Sequence, residues 1–293
     1  MLFEIVHSTD YRYSAPSSEA YLEVRLSPPA RPGLEVVSHE IDISPEARTS
    51  SYVDYFGNLT TFYSMTLRHD RLTVTNRLTV RNHPRTCPKQ ALATSIAESR
   101  QIFSSALPDV FDFLQPTAAV PTGGTATEWA RRYLKGDRPL GEALEQLNRA
   151  VYERFAYRPG STDVNTPLAI VWKKREGVCQ DFAHVLLSIL RTGGIPARYV
   201  CGYIESEPPS VETSGGRRLV GSLATHAWVE VLVPGLEWVA MDPTNNQWCG
   251  QQHVAVAVGR DFDEAAPVRG TFKGSGKQTM KVRVSMKRLA EKG

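Results

Sequence analysis

The chain has 293 residues, 41% hydrophobic and 22% charged, a balance that suits one large globular domain or two ordinary ones. Its 34 basic and 31 acidic residues leave a net charge of +3, too small to call for a polyanionic partner, so nucleic acid is not expected. No apolar run reaches the roughly 18 residues of a spanning helix, so no membrane segment is expected either.

The opening "MLFEIVHSTDYRYS" lacks a basic stretch followed by an apolar one. No signal peptide is expected from it, and the chain reads as cytoplasmic. Residues 2–83 then read as strands. "FEIVHSTDYRYS", "AYLEVRLSP", "EVVSHEIDIS", "SSYVDYFGNLTTFYSMTL" and "RLTVTNRLTVRN" alternate apolar and polar residues and are rich in Val, Thr and Tyr. Pro28-Pro29, Pro32-Gly33 and Gly57-Asn58 punctuate them. This pattern predicts an antiparallel, sandwich-like β module over residues 1–85.

Residues 84–124 mix Pro, Ala, Ser and Gly and read as a connecting region with a short helix over Leu92–Phe103. "ATEWARRYLKGDRPLGEALEQLNRAVYERF" predicts two helices separated at Gly136–Pro139. In "REGVCQDFAHVLLSILRTGGIPARYV" the apolar positions Phe182, Val185, Leu186, Ile189 and Leu190 lie on one face of a helix. Gly193-Gly194 and Pro196 stop it. Strands follow in "ARYVCGYI", "HAWVEVLVP", "EWVAMDP" and "QTMKVRVSMK". Helices followed by strands make an α+β half, assigned to residues 86–293. Between two of the strands, "ESEPPSVETSGGRR" (205–218) reads equally as a gate at the rim of a cleft or as an ordinary exposed connection.

Cys179 falls at the start of the helix that carries Phe182. A helix N-terminus favours a thiolate, the nucleophilic form of cysteine, and aims free N–H groups where an oxyanion would form. A thiolate nucleophile needs an imidazole, and the imidazole an orienting group. His226 opens one strand and Asp242 closes the next, and the Pro234-Gly235 turn between them would bring both to the open end of the pair. Each residue also has a plainer reading: a structural helix-start cysteine, a satisfied strand histidine, a strand-ending Asp-Pro. On the residues alone the two readings stand side by side.

"GVCQDFAHVLLSILRTGGIPARYVCGYI", "HAWVEV" and "WVAMDPTNN" resemble the three core motifs of the transglutaminase-like superfamily, a papain-like fold. The strand-rich start and "HVAVAVGRDFDEAAPVRGTF" (253–272) resemble its bacterial branch with an N-terminal β domain. The resemblance implies helices packed on an antiparallel sheet, with Cys179 as nucleophile, His226 as general acid/base and Asp242 as orienting carboxylate. Around them, Gln180 reads either as an oxyanion donor or as part of the helix start. Tyr157 and Trp228 read as cleft walls or core, and Asp181 as a capping charge. His184, with Asp181 and Cys179, does not make a zinc spacing, so no metal and no cofactor are expected. The four cysteines, Cys87, Cys179, Cys201 and Cys249, lack a CxxC and read as reduced thiols, with Cys201 and Cys249 structural. Lys281, Arg283, Lys287, Arg288 and Lys292 read as a solvated edge strand and tail, with nucleic-acid binding the weaker alternative. The expected activity is hydrolysis of peptide or other amide bonds in a peptide or protein substrate, since bacterial proteins resembling this chain are regarded as proteases. Acyl transfer to an amine and a non-catalytic binding role are the alternatives. Asparagine at 242 is expected to be the mildest triad change, because an amide still accepts from an imidazole.

Overall fold

The alternating runs of residues 2–83 pair into strands in the computed structural model, which describes residues 1–85, 87–205, 220 and 224–290. Strands β1 (Leu2–Ser17), β2 (Glu19–Ser27), β3 (Leu34–Ser44), β4 (Arg48–Val53), β5 (Leu59–Met65) and β6 (His69–Asn82) bury every second side chain where they cover the module's core. That core is Tyr11, Tyr13, Leu22, Val24, Leu26, Tyr63, Leu72 and Val74.

The connecting region holds α1 (Lys89–Ala93), α2 (Ile96–Ser105) and α3 (Leu107–Val110). The single helix expected over Leu92–Phe103 is therefore two. Ser95 breaks it: its backbone is extended and its hydroxyl accepts from the N–H of Glu98, starting a new helix. The two expected helices around Gly136–Pro139 are α4 (Thr125–Tyr133) and α5 (Leu140–Arg154). A short β7 (Ala156–Tyr157), α6 (Leu168–Lys174) and β8 (Glu176–Gly177) lead into α7 (Cys179–Thr192), which ends at Gly193. Strands β9 (Ala197–Ile204), β10 (His226–Val233), β11 (Glu237–Asp242), β12 (Gln247–Trp248) and β13 (His253–Gly259) form one antiparallel sheet in the order β12-β11-β10-β9-β13. Helix α7 is buried nearly all round, and Phe182, Val185, Leu186 and Ile189 join Val229, Val231 and Ala257 of the sheet in the largest core. The segment 205–218 lies, apart from Glu205, outside the described residues.

The chain then passes α8 (Phe262–Ala265) and returns to the N-terminal module. Strand β14 (Val268–Lys273) pairs with β2, and β15 (Gln278–Leu289) pairs with β1 from Leu2↔Leu289 to Tyr13↔Gln278. The sandwich thus consists of sheets β15-β1-β6-β3 and β14-β2-β5-β4. A boundary at residue 85, with 86–293 as one catalytic half, separates these two strands from their partners. The alternation of "QTMKVRVSMK" predicts β15 as a strand but not which edge it completes, and β14 is not among the expected strands. The basic strand β15 does lie at a sheet edge, but Arg288 is not merely solvated: it pairs with buried Glu205 at 2.7 Å.

The module and the β12-β11-β10-β9-β13 sheet share a core of their own. Phe3, Ile5, Leu78, Val80 and Met286 from the module meet Tyr203, Val254 and Val256 from β9 and β13. Polar clamps flank it. Asn58 exchanges two hydrogen bonds with the backbone of Val258, at 2.7 and 2.8 Å. Arg31 and Arg198 both pair with buried Glu230, whose carboxyl is held at about 2: burial alone would raise it, but the surrounding arginine charges outweigh that.

Candidate active site

Cys179 is the first residue of α7, so its N–H has no acceptor within the helix. The turn before it is held by Asp181, whose carboxylate accepts from the Val178 N–H at 2.7 Å and from the Thr162 hydroxyl at 2.6 Å. Burial pushes the Asp181 carboxyl above its ordinary value, against the pull of those two donors. Gly177 is required here, since a Cβ would lie 2.5 Å from an Asp181 oxygen. Asp181 is therefore the capping charge of the sequence reading.

His226 and Asp242 meet at the open end of the β10–β11 pair, as the turn at Pro234-Gly235 implies. Nε2 of His226 lies 2.8 Å from Oδ2 of Asp242, and both side chains are wholly buried. Nδ1 of His226 is buried without a hydrogen-bond partner, and Cys179 is near enough for its sulfur to raise the proton affinity of the ring. Burial alone would lower the histidine's proton affinity, but Asp242 and then Cys179 outweigh it, so His226 holds its proton above the usual histidine range. Burial would likewise raise Asp242, yet His226 and then His253 hold the carboxyl far below the usual range.

The carboxylate is saturated. Its Oδ1 accepts from the N–H groups of Thr244 (2.9 Å) and Asn245 (3.2 Å). Its Oδ2 accepts from His226, from Asn245 Nδ2 (2.7 Å) and from His253 Nε2 (3.3 Å). Asn245 and His253 were not singled out in the sequence. Asn245 lies inside "DPTNN", a turn in which an Asx side chain commonly bonds its own neighbourhood. His253 opens an apolar strand and carries no such signal.

The remaining candidates divide. Tyr157, on β7, packs edge-on to Phe182 within reach of the site's charges: burial first, then the charges of Cys179 and Asp242, push its phenol up to about 12. Trp228 is not a cleft wall. It is 1% exposed, behind the histidines, with its ring edge-on to His253 at a centroid distance of 5.4 Å. It fits because position 202 is glycine: a Cβ there would lie 2.4 Å from the indole and 2.3 Å from the Val254 carbonyl. Gln180 is not joined to the three either, and its amide donates to the Val164 carbonyl at 3.4 Å. His184 is buried away from Cys179, with Nε2 accepting from the Phe262 N–H at 3.2 Å. All four thiols are free; burial pushes Cys201 up to about 12 and Cys249 well above its ordinary value. No helix among the described residues is long and apolar enough to cross a membrane.

Comparison with known proteins matches the chain to two family models. Residues 127–243 match the transglutaminase-like superfamily core, and residues 3–81 the bacterial transglutaminase-like N-terminal region. An uncharacterised protein of Mycobacterium leprae is 33% identical over 289 residues, 98% of each chain. A protein-glutamine gamma-glutamyltransferase of Pseudomonas aeruginosa is 36% identical over 100 residues, 33% of this chain and 14% of that one. Among solved structures, a "Putative Cysteine Protease from Cytophaga hutchinsonii" superposes with a TM-score of 0.76 at 20% identity, covering 100% of this chain and 92% of the other.

Proposed function

Because the chain belongs to the transglutaminase-like superfamily, we propose that it is a cysteine hydrolase of peptide or other amide bonds working through a thioester. One observation carries the reading: a buried imidazole set between a helix-start cysteine and a saturated carboxylate, with the His226–Asp242 bond at 2.8 Å. The Cys179 thiolate attacks the substrate carbonyl carbon, forming a C–S bond and an oxyanion. The free N–H of Cys179 at the start of α7 is placed to receive that charge. As the intermediate collapses, the C–N bond breaks and His226 gives its proton to the leaving amine. Water then attacks the thioester, His226 takes a proton from it, and the carboxylic acid and thiolate are released. Asp242 keeps the imidazole turned toward the sulfur and stabilises its protonated form.

A second reading is favoured by the 100-residue similarity to the gamma-glutamyltransferase. In it an amine, not water, resolves the same thioester and leaves a new amide. Trapping the thioester with a peptide library, then following its decay with and without added amine, separates the two. Decay that is independent of amine and yields a free acid supports the hydrolase. Amine-dependent decay to a cross-link replaces it with the transferase.

A further inference from the structure

His253 opens β13, and its side chain is almost wholly buried. Its Nδ1 accepts from the Gly250 N–H at 3.4 Å, so the ring proton belongs on Nε2, which points to Asp242 Oδ2 at 3.3 Å. The network thus assigns His253 as a donor to the carboxylate that orients His226. The backbone of the same residue is held from the β module. Asn82, the last residue of β6, donates from Nδ2 to the carbonyls of His253 and Gln251 at 2.9 Å each. Gln251 returns a bond to the Asn82 carbonyl at 2.8 Å. Trp228 closes the remaining side of the ring.

We propose that His253 is a positioning residue: it fixes the Asp242 carboxylate, and through it the angle and proton affinity of His226, and it carries the β module's hold into the site. The inference rests on the functional reading of Cys179, His226 and Asp242. The physical argument concerns Oδ2. Three donors share that oxygen, and the two besides His226, Asn245 Nδ2 and His253 Nε2, withdraw density from its bond to His226. Without the His253 donor, Oδ2 pulls harder on the imidazole proton, and the carboxylate loses one of the contacts that set its plane. His226 then releases its proton less readily and at a higher pH. The other titratable groups facing this pair are Cys179 and His226 themselves, Tyr157 from β7 and Cys249 after β12. They are unchanged by substitution at 253.

The test uses the full chain and iodoacetamide as the probe. The rate of Cys179 alkylation is followed against pH by mass spectrometry for wild type, His253→Ala and His253→Gln, with thermal melts confirming the fold. In His253→Ala the limb governed by His226 is expected to move upward by about one pH unit, the size expected for loss of one hydrogen bond to a charged group. His253→Gln, which keeps an N–H donor, should return more than half of that shift. A purely structural role would lower the melting temperature and leave the profile in place. Profiles of His253→Ala and wild type that superpose overturn the proposal, as does a folded His253→Gln that restores nothing. If His253→Ala does not fold, Asn82→Ala takes its place: a smaller shift in the same direction supports the proposal, and an unmoved profile overturns it. A wild-type Cys179 that shows no pH-dependent reactivity would instead count against the nucleophile assignment, so the two failures are distinct.

Discussion

Replacing Asp242 by asparagine tests the site most sharply. The residues alone rank it the mildest change, on the ground that an amide can still accept from an imidazole. The hydrogen bonds around the carboxylate argue against so mild an outcome. One carboxylate oxygen faces two backbone donors, Thr244 and Asn245, and the other faces His226, Asn245 Nδ2 and His253. An asparagine offers one acceptor and one NH2 group, so at least two buried donors meet an NH2 whichever way it turns. Each such donor costs about 1–3 kcal/mol, or about 2–6 kcal/mol together, a large part of the 5–15 kcal/mol that typically holds a domain. If the amide N–H instead turns to His226, the ring must accept at Nε2 and keep its proton on Nδ1, toward the sulfur. That is the wrong tautomer for a base, and in a triad it costs about ten-thousandfold in rate. Urea unfolding at pH 7 and the rate of thioester formation read the two losses. Stability within about 1 kcal/mol of wild type, with a rate within roughly tenfold, would refute the saturated-carboxylate argument.

The buried histidines away from the site set the acid limit of stability. Burial lowers His7 and His184 each to about 4, while in the unfolded chain they take up protons near 6.5. The unfolded state therefore binds more protons between those values, and stability should fall as pH drops from about 6.5 toward 4, by up to about 3 kcal/mol per histidine; a urea midpoint that stays level over this window contradicts it. His226 acts in the opposite window: its raised value means that its contribution is complete below the unfolded value and is lost as pH rises through the folded one, so His226→Gln should flatten the alkaline arm of the same titration. Iodoacetamide should label Cys179 well before Cys201 and Cys249, whose thiols burial holds protonated, and His226→Ala should slow Cys179 while leaving exposed Cys87 unchanged; equal slowing of both would point to a global effect. Glu230→Gln leaves Arg31 and Arg198 facing a neutral side chain in a buried site, and a loss of about 3–5 kcal/mol is expected in the same unfolding assay. A fragment beginning at residue 86 keeps β14 and β15 but not β2 and β1, so it should aggregate or melt without cooperativity; a soluble fragment with a sharp transition would show that the two strands are dispensable.

Much of this site was legible because its parts obey local rules. Periodicity set the face of α7, and Gly193-Gly194 set its end. A tight turn between two strands fixed where His226 and Asp242 would meet. The Ser95 break could also have been found, since Ser95 and Glu98 stand three apart at a helix start. What remained hidden depends on contacts between distant segments. The alternation of β15 is the same whether its neighbour is β1 or β11, and only the folded chain shows that Leu289 pairs with Leu2. A histidine at the head of "HVAVAVG" reads as a core histidine until β11 and β13 are seen to bring its ring to Asp242. Trp228 reads from the sequence as cleft wall or core because indole suits either setting, and the deciding residue, Gly202, lies on another strand.

The position of the β module also bears on why the site can be charged at all. Strands β9, β10 and β13 are buried along almost their whole length, which needs a layer on each face of the sheet. Helix α7 covers one face with Phe182, Val185 and Leu186. The module covers Tyr203, Val254 and Val256 on the other with Phe3, Ile5, Leu78 and Val80. Phe56, from the module turn that Asn58 fastens to Val258, packs in the cluster around Trp228, behind the two histidines. A charged pair in so dry a place acts more strongly on its neighbours than one exposed to water, but it must first be compensated for the water it has lost. Here the compensation comes from the turn at Thr244 and Asn245 and from His253, and the last of these is tied to the module through Asn82. The module supplies none of the side chains of Cys179, His226 and Asp242. Its contribution is the second wall of the sheet and one of the anchors that hold a saturated carboxylate beside His226.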